Sequence, residues 1–69
     1  MNDNKVQAGD MFMLIAPLVP HRLGNIYIVV HRERGAIADG WKTFNLTRQQ
    51  YEYDFDHFLC NHKLYRRLA

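Results

Sequence analysis

Three times within its first 46 residues, the chain places turn-forming residues in front of an apolar run that favours β structure. The three units are Gly9-Asp10 before Met11 to Ile15, Gly24-Asn25 before Ile26 to Val30, and Asp39-Gly40 before Trp41 to Leu46. Glycine, aspartate and asparagine favour turns, and β-branched and aromatic residues favour strands. The repeat therefore predicts a small, twisted β-meander.

The length of 69 residues predicts one small domain, with a disordered segment over residues 1–5 and a β-barrel over residues 6–69. A hydrophobic content of 48% is enough for one core. A domain of about 60 residues buries only about 60% of the surface of its extended chain. A homodimer would bury more, so self-association is one expected state.

Composition excludes some classes of function. The net charge of +2 is too small to indicate a nucleic-acid-binding protein, and the absence of serine excludes a serine nucleophile. Cys60 is the sole cysteine, which is typical of a chain without internal disulfides in the cytoplasm. The apolar run from Met11 to Val19 is interrupted by Pro17, and it is shorter than the roughly 18 residues of a membrane helix. We expect a cytoplasmic protein with neither signal peptide nor membrane contact.

The first three strands are predicted over Met11–Ala16, Ile26–Arg34 and Trp41–Leu46. The first is nearly all apolar, so we expect it to be covered on both faces. The loop from Pro17 to Gly24 is expected to be stiff because it contains two prolines. In the third strand Phe44 and Leu46 are predicted to form the core pair, which leaves Trp41 near an edge. Trp41 is either exposed as part of a peptide-binding groove or, as the favoured alternative, half-buried over one end of the barrel.

The segment from residue 50 to residue 60 fits two structures. Its aromatic and acidic residues alternate as in a half-buried strand, but its apolar residues also fit a helical stripe. We predict a short strand over Gln50–Tyr53, then a short helix that is capped by Asp54 or Asp56 and reaches about Asn61. A last strand over Lys63–Leu68, with Leu64 inward, completes a mainly β, five-stranded, partly open barrel.

His57, Cys60 and His62 form the first candidate site, because thiolate and imidazole at such spacing are zinc ligands. A fourth ligand would have to be His21 or His31. A Cys-His nucleophile pair and a buried, inert cysteine beside two surface histidines are the alternatives. The last of these is favoured, so no metal, cofactor or catalytic residue is assigned.

Glu52, Asp54 and Asp56 would share one face of a strand, about 6.5 to 7 Å apart. That spacing approximates the phosphates of DNA, and paired carboxylates also serve in acid–base catalysis. The net positive charge of the chain instead favours an ordinary solvated face.

A basic surface with interleaved aromatic residues is the signature of a nucleic-acid-binding barrel. The residues that would form it here are Arg22, His31, Arg32, Arg34, Lys42, Arg66 and Arg67, with Tyr27, Trp41 and Tyr65. The alternative is scattered surface charge with aromatic residues in the core.

Several short patterns together resemble the small SH3-like barrel proteins of phage and prophage genomes. They are Val6-x-x-Gly9-Asp10-x-Phe12, Gly24-x-Ile26-Tyr27-x-Val29, Trp41-x-x-Phe44-Asn45-Leu46, Phe55-x-x-Phe58 and Tyr65. The resemblance covers residues 6–68. It implies a five-stranded SH3-like barrel with a helical turn before the last strand, and it implies no activity.

A second resemblance is to the opening of the MazF-type ribonuclease toxins, which also use an SH3-like barrel. It rests on Gly9-Asp10-Met11-Phe12, Ala16-Pro17 and Val29-Val30. Asn25-Ile26 stands where those toxins carry an Arg-Pro step, and the chain is shorter than they are. No catalytic residue is carried over.

These observations favour a phage-type, non-enzymatic binding module that binds and occludes a host protein. A nucleic-acid-binding barrel is the alternative, and a MazF-like ribonuclease or another small enzyme comes third. The predicted contact surface comprises Pro20, His21, Arg22, Arg32, Arg34 and Trp41. An aromatic and arginine surface beside a stiff loop is typical of protein contacts.

Overall fold

Five antiparallel strands and one short helix make up the fold in a computed structural model that describes residues 5–18, 20–35 and 39–69. The elements are β1 (Met11–Leu14), β2 (Ile26–Glu33), β3 (Gly40–Asn45), β4 (Gln50–Phe55), α1 (Asp56–Leu59) and β5 (Tyr65–Arg67), with a 3-10 turn at Pro20–Arg22. The strand order is β4-β3-β2-β1-β5. Within the described residues no backbone ladder joins β4 to β5, so the sheet is open. The predicted mainly β, five-stranded, partly open fold with a helix before the last strand is confirmed.

β1 and β2 begin where the sequence predicted but end earlier, β3 begins and ends one residue earlier, and β5 is shorter at both ends. β1 ends at Leu14 rather than Ala16, because the Ile15 amide donates to the Leu64 carbonyl and the chain then turns. Gly24 supplies the turn before β2 with a φ of +84°, a conformation that side chains with a Cβ rarely adopt. The predicted disorder of residues 1–4 and part of the connection at 36–38 lie outside the described residues.

The core lies on the inner face of the curved sheet. Its buried hydrophobic residues are Val6, Phe12, Leu14, Tyr27, Val29, Trp41, Leu59 and Tyr65. The prediction that Phe44 and Leu46 form the core pair was wrong, since Leu46 is 41% exposed and Phe44 lies on the outer face. Thr43 and Asn45 face inward instead and are fully buried, because other inward side chains satisfy their polar atoms.

Strand β4 is longer and α1 shorter than predicted. β4 extends to Phe55, which precedes the helix without a side-chain cap, so the prediction of an aspartate cap was wrong. α1 ends at Leu59, the one residue of this helix that is buried. In the last strand Tyr65, not Leu64, is the buried residue, although Leu64 packs against the core from its edge.

A β-bulge divides β2 into two halves. Val29 lies opposite Thr43 but His31 lies opposite Lys42, so one extra residue, Val30, interrupts the ladder. The extra residue shifts the alternation of faces. As a result Arg32 lies directly opposite Trp41.

Candidate functional site

The predicted contact surface is only partly present. Pro20 and His21 are exposed on the 3-10 turn. Arg22 turns inward: its Nε donates to Glu52 Oε1 at 3.0 Å, and its side chain is only 19% exposed. Arg22, which was predicted as a partner contact, is therefore largely turned away from the surface.

The other half of the predicted surface lies around Trp41, which is buried rather than exposed. Its Nε1 donates to Asp56 Oδ1 at 2.8 Å, and the Arg32 guanidinium lies 5.0 Å from the ring centre. This cation–π contact covers the indole from the solvent side. Arg32 and Arg34 remain exposed, but Trp41 does not offer the aromatic anchor that was predicted.

The aromatic residues of the predicted nucleic-acid surface are also internal. Tyr27 is 1% exposed and Tyr65 is 3% exposed, and their rings meet edge to face at 6.0 Å. Burial, followed by nearby carboxylates, raises the pKa of both hydroxyls above the ordinary value. Neither ring is available to stack on a base, so that part of the prediction was wrong.

The outer side of the sheet carries a continuous apolar surface. Across four strands, ladder partners place Met11 beside Ile28, Ile28 beside Phe44, and Phe44 beside Tyr51. Directly paired residues project on the same side of a sheet. We call the following set the outer apolar face: Met11, Met13, Ile26, Ile28, Phe44, Tyr51 and Tyr53. The prediction that β1 is covered on both faces was wrong, since Met11 and Met13 are only half-buried.

Tyr51 is the most exposed member of the outer apolar face, at 61%. It meets the Phe44 ring edge to face at 4.9 Å, and the Lys42 ammonium lies 4.6 Å from its ring centre. At the opposite edge of the sheet Arg66 is paired with Met13 and is exposed. The outer apolar face is thus bordered by cations on two sides.

A cavity of about 280 Å³ with both carboxylate and aromatic lining residues lies in the opening between β4 and β5. We call it the inner cavity. It is lined by Leu18, Arg22, Tyr27, Glu52, Tyr53, Asp54, Phe55, Phe58 and Tyr65. The sheet brings these residues together because β4 and β5 approach across the opening without pairing.

Glu52 lies at the centre of one polar network in this cavity. Its Oε1 accepts from Arg22, and its Oε2 accepts from Asn45 Nδ2 at 3.2 Å and from Gln50 Nε2 at 2.9 Å. The Nη1 atom of Arg22 is buried and has no hydrogen-bond acceptor in the described part of the chain. The ion pair thus fixes the loop after β1 onto β4.

Asp54 belongs to a second network. Tyr65 donates its hydroxyl to Oδ1 at 2.9 Å, and Thr43 donates to Oδ2 at 2.7 Å. Burial raises the pKa of the Asp54 carboxyl, and the two hydroxyl donors oppose that rise. The prediction that Glu52, Asp54 and Asp56 form one solvated face was wrong, because the first two face the inner cavity and Asp56 binds Trp41.

The candidate metal ligands do not lie together in the structure. The His57 ring stacks on Phe55 at 5.5 Å, and Cys60 is half-buried against the core. Burial, followed by Asp56, raises the pKa of the Cys60 thiol, which disfavours the nucleophilic thiolate. Over residues 5–18, 20–35 and 39–69, no group of three or more His, Cys, Asp or Glu side chains could hold a metal ion.

Neither of the two surfaces was predicted as a site. The all-apolar pattern of Met11 to Ile15 was a signal for the outer apolar face, but it was interpreted as double burial. The alternation of Tyr51 to Asp56 contained the inner carboxylates, but periodicity does not say which side of a strand faces inward.

Comparisons with protein-family models, with curated proteins and with solved structures gave no match to this chain. The resemblances to phage barrels and to MazF-type toxins therefore stay predictions from the residues. In the described segments no helix is long and apolar enough to cross a membrane.

Proposed function

We propose that this protein is a small, non-enzymatic binding module that docks its outer apolar face on a partner protein and thereby occludes a functional surface of that partner. The observation that carries the proposal is the apolar row formed by Met11, Ile28, Phe44 and Tyr51, in which Tyr51 is exposed and the other three are half-buried. Contiguous exposed apolar surface on a soluble protein typically marks an interaction site. Aromatic and methionine side chains are also enriched in the centres of protein interfaces.

The charges around the outer apolar face favour a partner of opposite sign. Lys42 and Arg66 lie on or beside it, and the acidic Glu33 lies at one end, 4.0 Å from His31. A second copy in a two-fold dimer would bring the same cations to the interface. The surface that fits is therefore an apolar patch on another protein, bordered by Asp or Glu.

The size of the outer apolar face sets the expected strength of binding. Four strands about 4.8 Å apart and three rows of side chains cover roughly 300 Å². A standard interface buries about 800 Å² on each partner. Val30 and Leu46, which are 37% and 41% exposed, would enlarge the contact but not double it. We therefore expect a transient complex rather than a permanent one.

Nucleic acid is the second candidate, and one observation favours it. Glu52, Asp54 and Asp56 are half-buried and hydrogen-bonded, so they contribute little to the outer surface. Exposed cations remain at Lys5, Arg34, Arg48, Lys63 and Arg66. The aliphatic centre of the outer apolar face does not suit a phosphate backbone, so a protein partner is preferred.

The test is affinity capture from nuclease-treated bacterial lysate, followed by calorimetry with the purified partner. Tyr51→Thr and Ile28→Thr alter the outer apolar face and keep a strand-forming residue. Leu23→Thr makes a matched change at a residue that is 52% exposed in a turn. We expect one identified protein that binds the wild type and Leu23→Thr and binds the two face variants at least about tenfold more weakly.

Four outcomes would overturn the proposal. Equal binding by all variants would show that the outer apolar face is not the contact. A wild-type dimer that the face variants dissociate would identify a second copy as the occupant. Nuclease-sensitive retention with a steep salt dependence would identify nucleic acid. Retention of no protein would remove the support for a protein partner.

A further inference from the structure

The inner cavity has an unbalanced charge. Glu52 is neutralised by its ion pair with Arg22, but no ion pair within the described residues includes Asp54. The two hydrogen-bond donors to Asp54 are the neutral hydroxyls of Thr43 and Tyr65. A half-buried carboxylate without a cationic partner is unfavourable, because burial removes hydration that neutral donors replace only in part. A cation in the cavity would balance this charge.

The walls of the inner cavity are largely aromatic. Phe55 and Phe58 line it together with Tyr27 and Tyr65, whereas the Tyr53 ring lies over Gly40 on the outer apolar face. The faces of aromatic rings attract organic cations, and this attraction strengthens as water is excluded. The lining carries one cation, Arg22, against two carboxylates, so its formal charge is negative even though the buried Arg22 Nη1 atom has no acceptor in the described residues. An anion would meet both carboxylates, and a wholly apolar ligand would leave their oxygens unsolvated. The lining therefore selects a cation that also carries apolar carbon.

The volume limits the ligand to a small one. Sites for drug-sized ligands and cofactors usually occupy about 300–1,000 Å³, whereas this cavity has about 280 Å³. That space fits one amino-acid side chain or a small amine, but not a nucleotide or a folded peptide segment.

We propose that the inner cavity binds one organic cation of side-chain size, an alkylammonium or alkylguanidinium group, with its charge against Asp54 and its carbon chain against the ring of Phe58. The cation comes either from a free amine or from a Lys or Arg side chain of another polypeptide, and the chemistry of recognition is the same. This inference concerns a different surface from the outer apolar face and does not depend on the proposed function.

The test is an NMR titration of the full chain with four probes. n-Butylammonium and neutral n-butanol compare a free amine with an uncharged analogue of similar length. N-acetyl-lysine methylamide and its Nε-acetylated form make the same comparison for a side chain. We expect the two cations to bind with a Kd on the order of 1 mM and to shift the signals of Phe58 and Tyr65. The neutral probes should bind at least about tenfold more weakly.

The variant Asp54→Asn keeps the shape of the side chain and removes its charge, so we expect it to weaken both cations about tenfold or more. Asp39→Asn is the matched control, because Asp39 is exposed and lies outside the cavity. If Asp54→Asn does not fold, Phe58→Leu removes one ring and should also weaken the cations.

The relative affinity of the two charged probes identifies the source of the cation. Tighter binding of the lysine amide than of butylammonium indicates a polypeptide side chain, and tighter binding of butylammonium indicates a free amine. Equal binding of charged and neutral probes would overturn the proposal. So would shifts confined to residues outside the cavity, unchanged affinity in Asp54→Asn, or no shift at about 20 mM of either cation.

Discussion

Replacement of Leu59 by alanine tests whether α1 holds the core together. Leu59 is 2% exposed and is the one buried residue of this four-residue helix, while its neighbour Phe58 packs half-buried against the core. A helix this short has little stability of its own, so its position depends on tertiary packing. Leu59→Ala removes that packing and leaves a cavity between the helix and the sheet.

The expected loss can be scaled against the whole protein. Burying alanine in place of a fully buried leucine costs about 2–5 kcal/mol. A chain of this length has a free energy of unfolding of roughly 3–10 kcal/mol, at about 0.05–0.15 kcal/mol per residue. A loss of about 3 kcal/mol, with an m-value of about 1 kcal/mol per molar urea, lowers the unfolding midpoint by about 3 M.

Trp41 supplies the assay, because it is the sole tryptophan of the chain and is only 7% exposed. Its emission should shift to longer wavelength when urea unfolds the protein. Leu23→Ala is the control: it deletes the same atoms from a side chain that is 52% exposed, and we expect it to cost no more than about 0.5 kcal/mol. If Leu59→Ala is unfolded without urea, Leu59→Val should show a loss of about 1 kcal/mol.

A loss below about 1 kcal/mol for Leu59→Ala would refute the reasoning. It would mean that α1 does not dock on the sheet as described. The same conclusion would follow if Leu59→Ala and Leu23→Ala were equally destabilising.

Two further predictions concern the inner face of β4 and the glycines. Because the pKa of Asp54 is raised in the folded state, its stabilising contribution is present below the unfolded pKa and is lost as pH rises through the folded pKa. In urea unfolding across pH 3.5–7.5, the free energy of unfolding of Asp54→Asn should therefore increase relative to that of the wild type as pH rises. A difference that does not change with pH would contradict this. Gly40→Ala should destabilise the protein far more than the roughly 1 kcal/mol expected for Gly24→Ala. A Cβ at Gly40 would lie 2.5 Å from the Asp54 carbonyl oxygen, whereas a Cβ at Gly24 would meet no atom within 4 Å. Equal shifts in melting temperature for the two variants would show that β4 moves aside freely.

Much of the fold could be predicted because turn chemistry and apolar runs are local signals. Gly9, Gly24 and the run at Ile26 determine where strands begin, and the structure confirms those positions. The inward side of β3 could not be predicted in the same way. Hydrophobicity favoured Phe44 over Thr43, but Thr43 and Asn45 are buried by hydrogen bonds to partners that are distant in sequence.

The site depended even more on such distant contacts. Arg22 was predicted as a partner contact within the stiff loop from Pro17 to Gly24, yet its ion-pair partner Glu52 lies 30 residues away in the sequence. The bulge at Val30 likewise changes which residues of β2 face inward, and no local pattern marks it. Sequence reasoning therefore located the turns and strands but not which side chains share a face of the sheet.

The open side of the sheet, between β4 and β5, is the place where neighbouring strands are held together most weakly. Every other pair of neighbouring strands is joined by a backbone ladder, whereas β4 faces β5 through the side-chain bond from Tyr65 to Asp54, with the Arg22–Glu52 pair beside it. Hydrogen bonds to charged groups contribute only about 1.5–3 kcal/mol net each. Local unfolding should therefore begin with the separation of β4 from β5, while the three central strands stay hydrogen-bonded to one another.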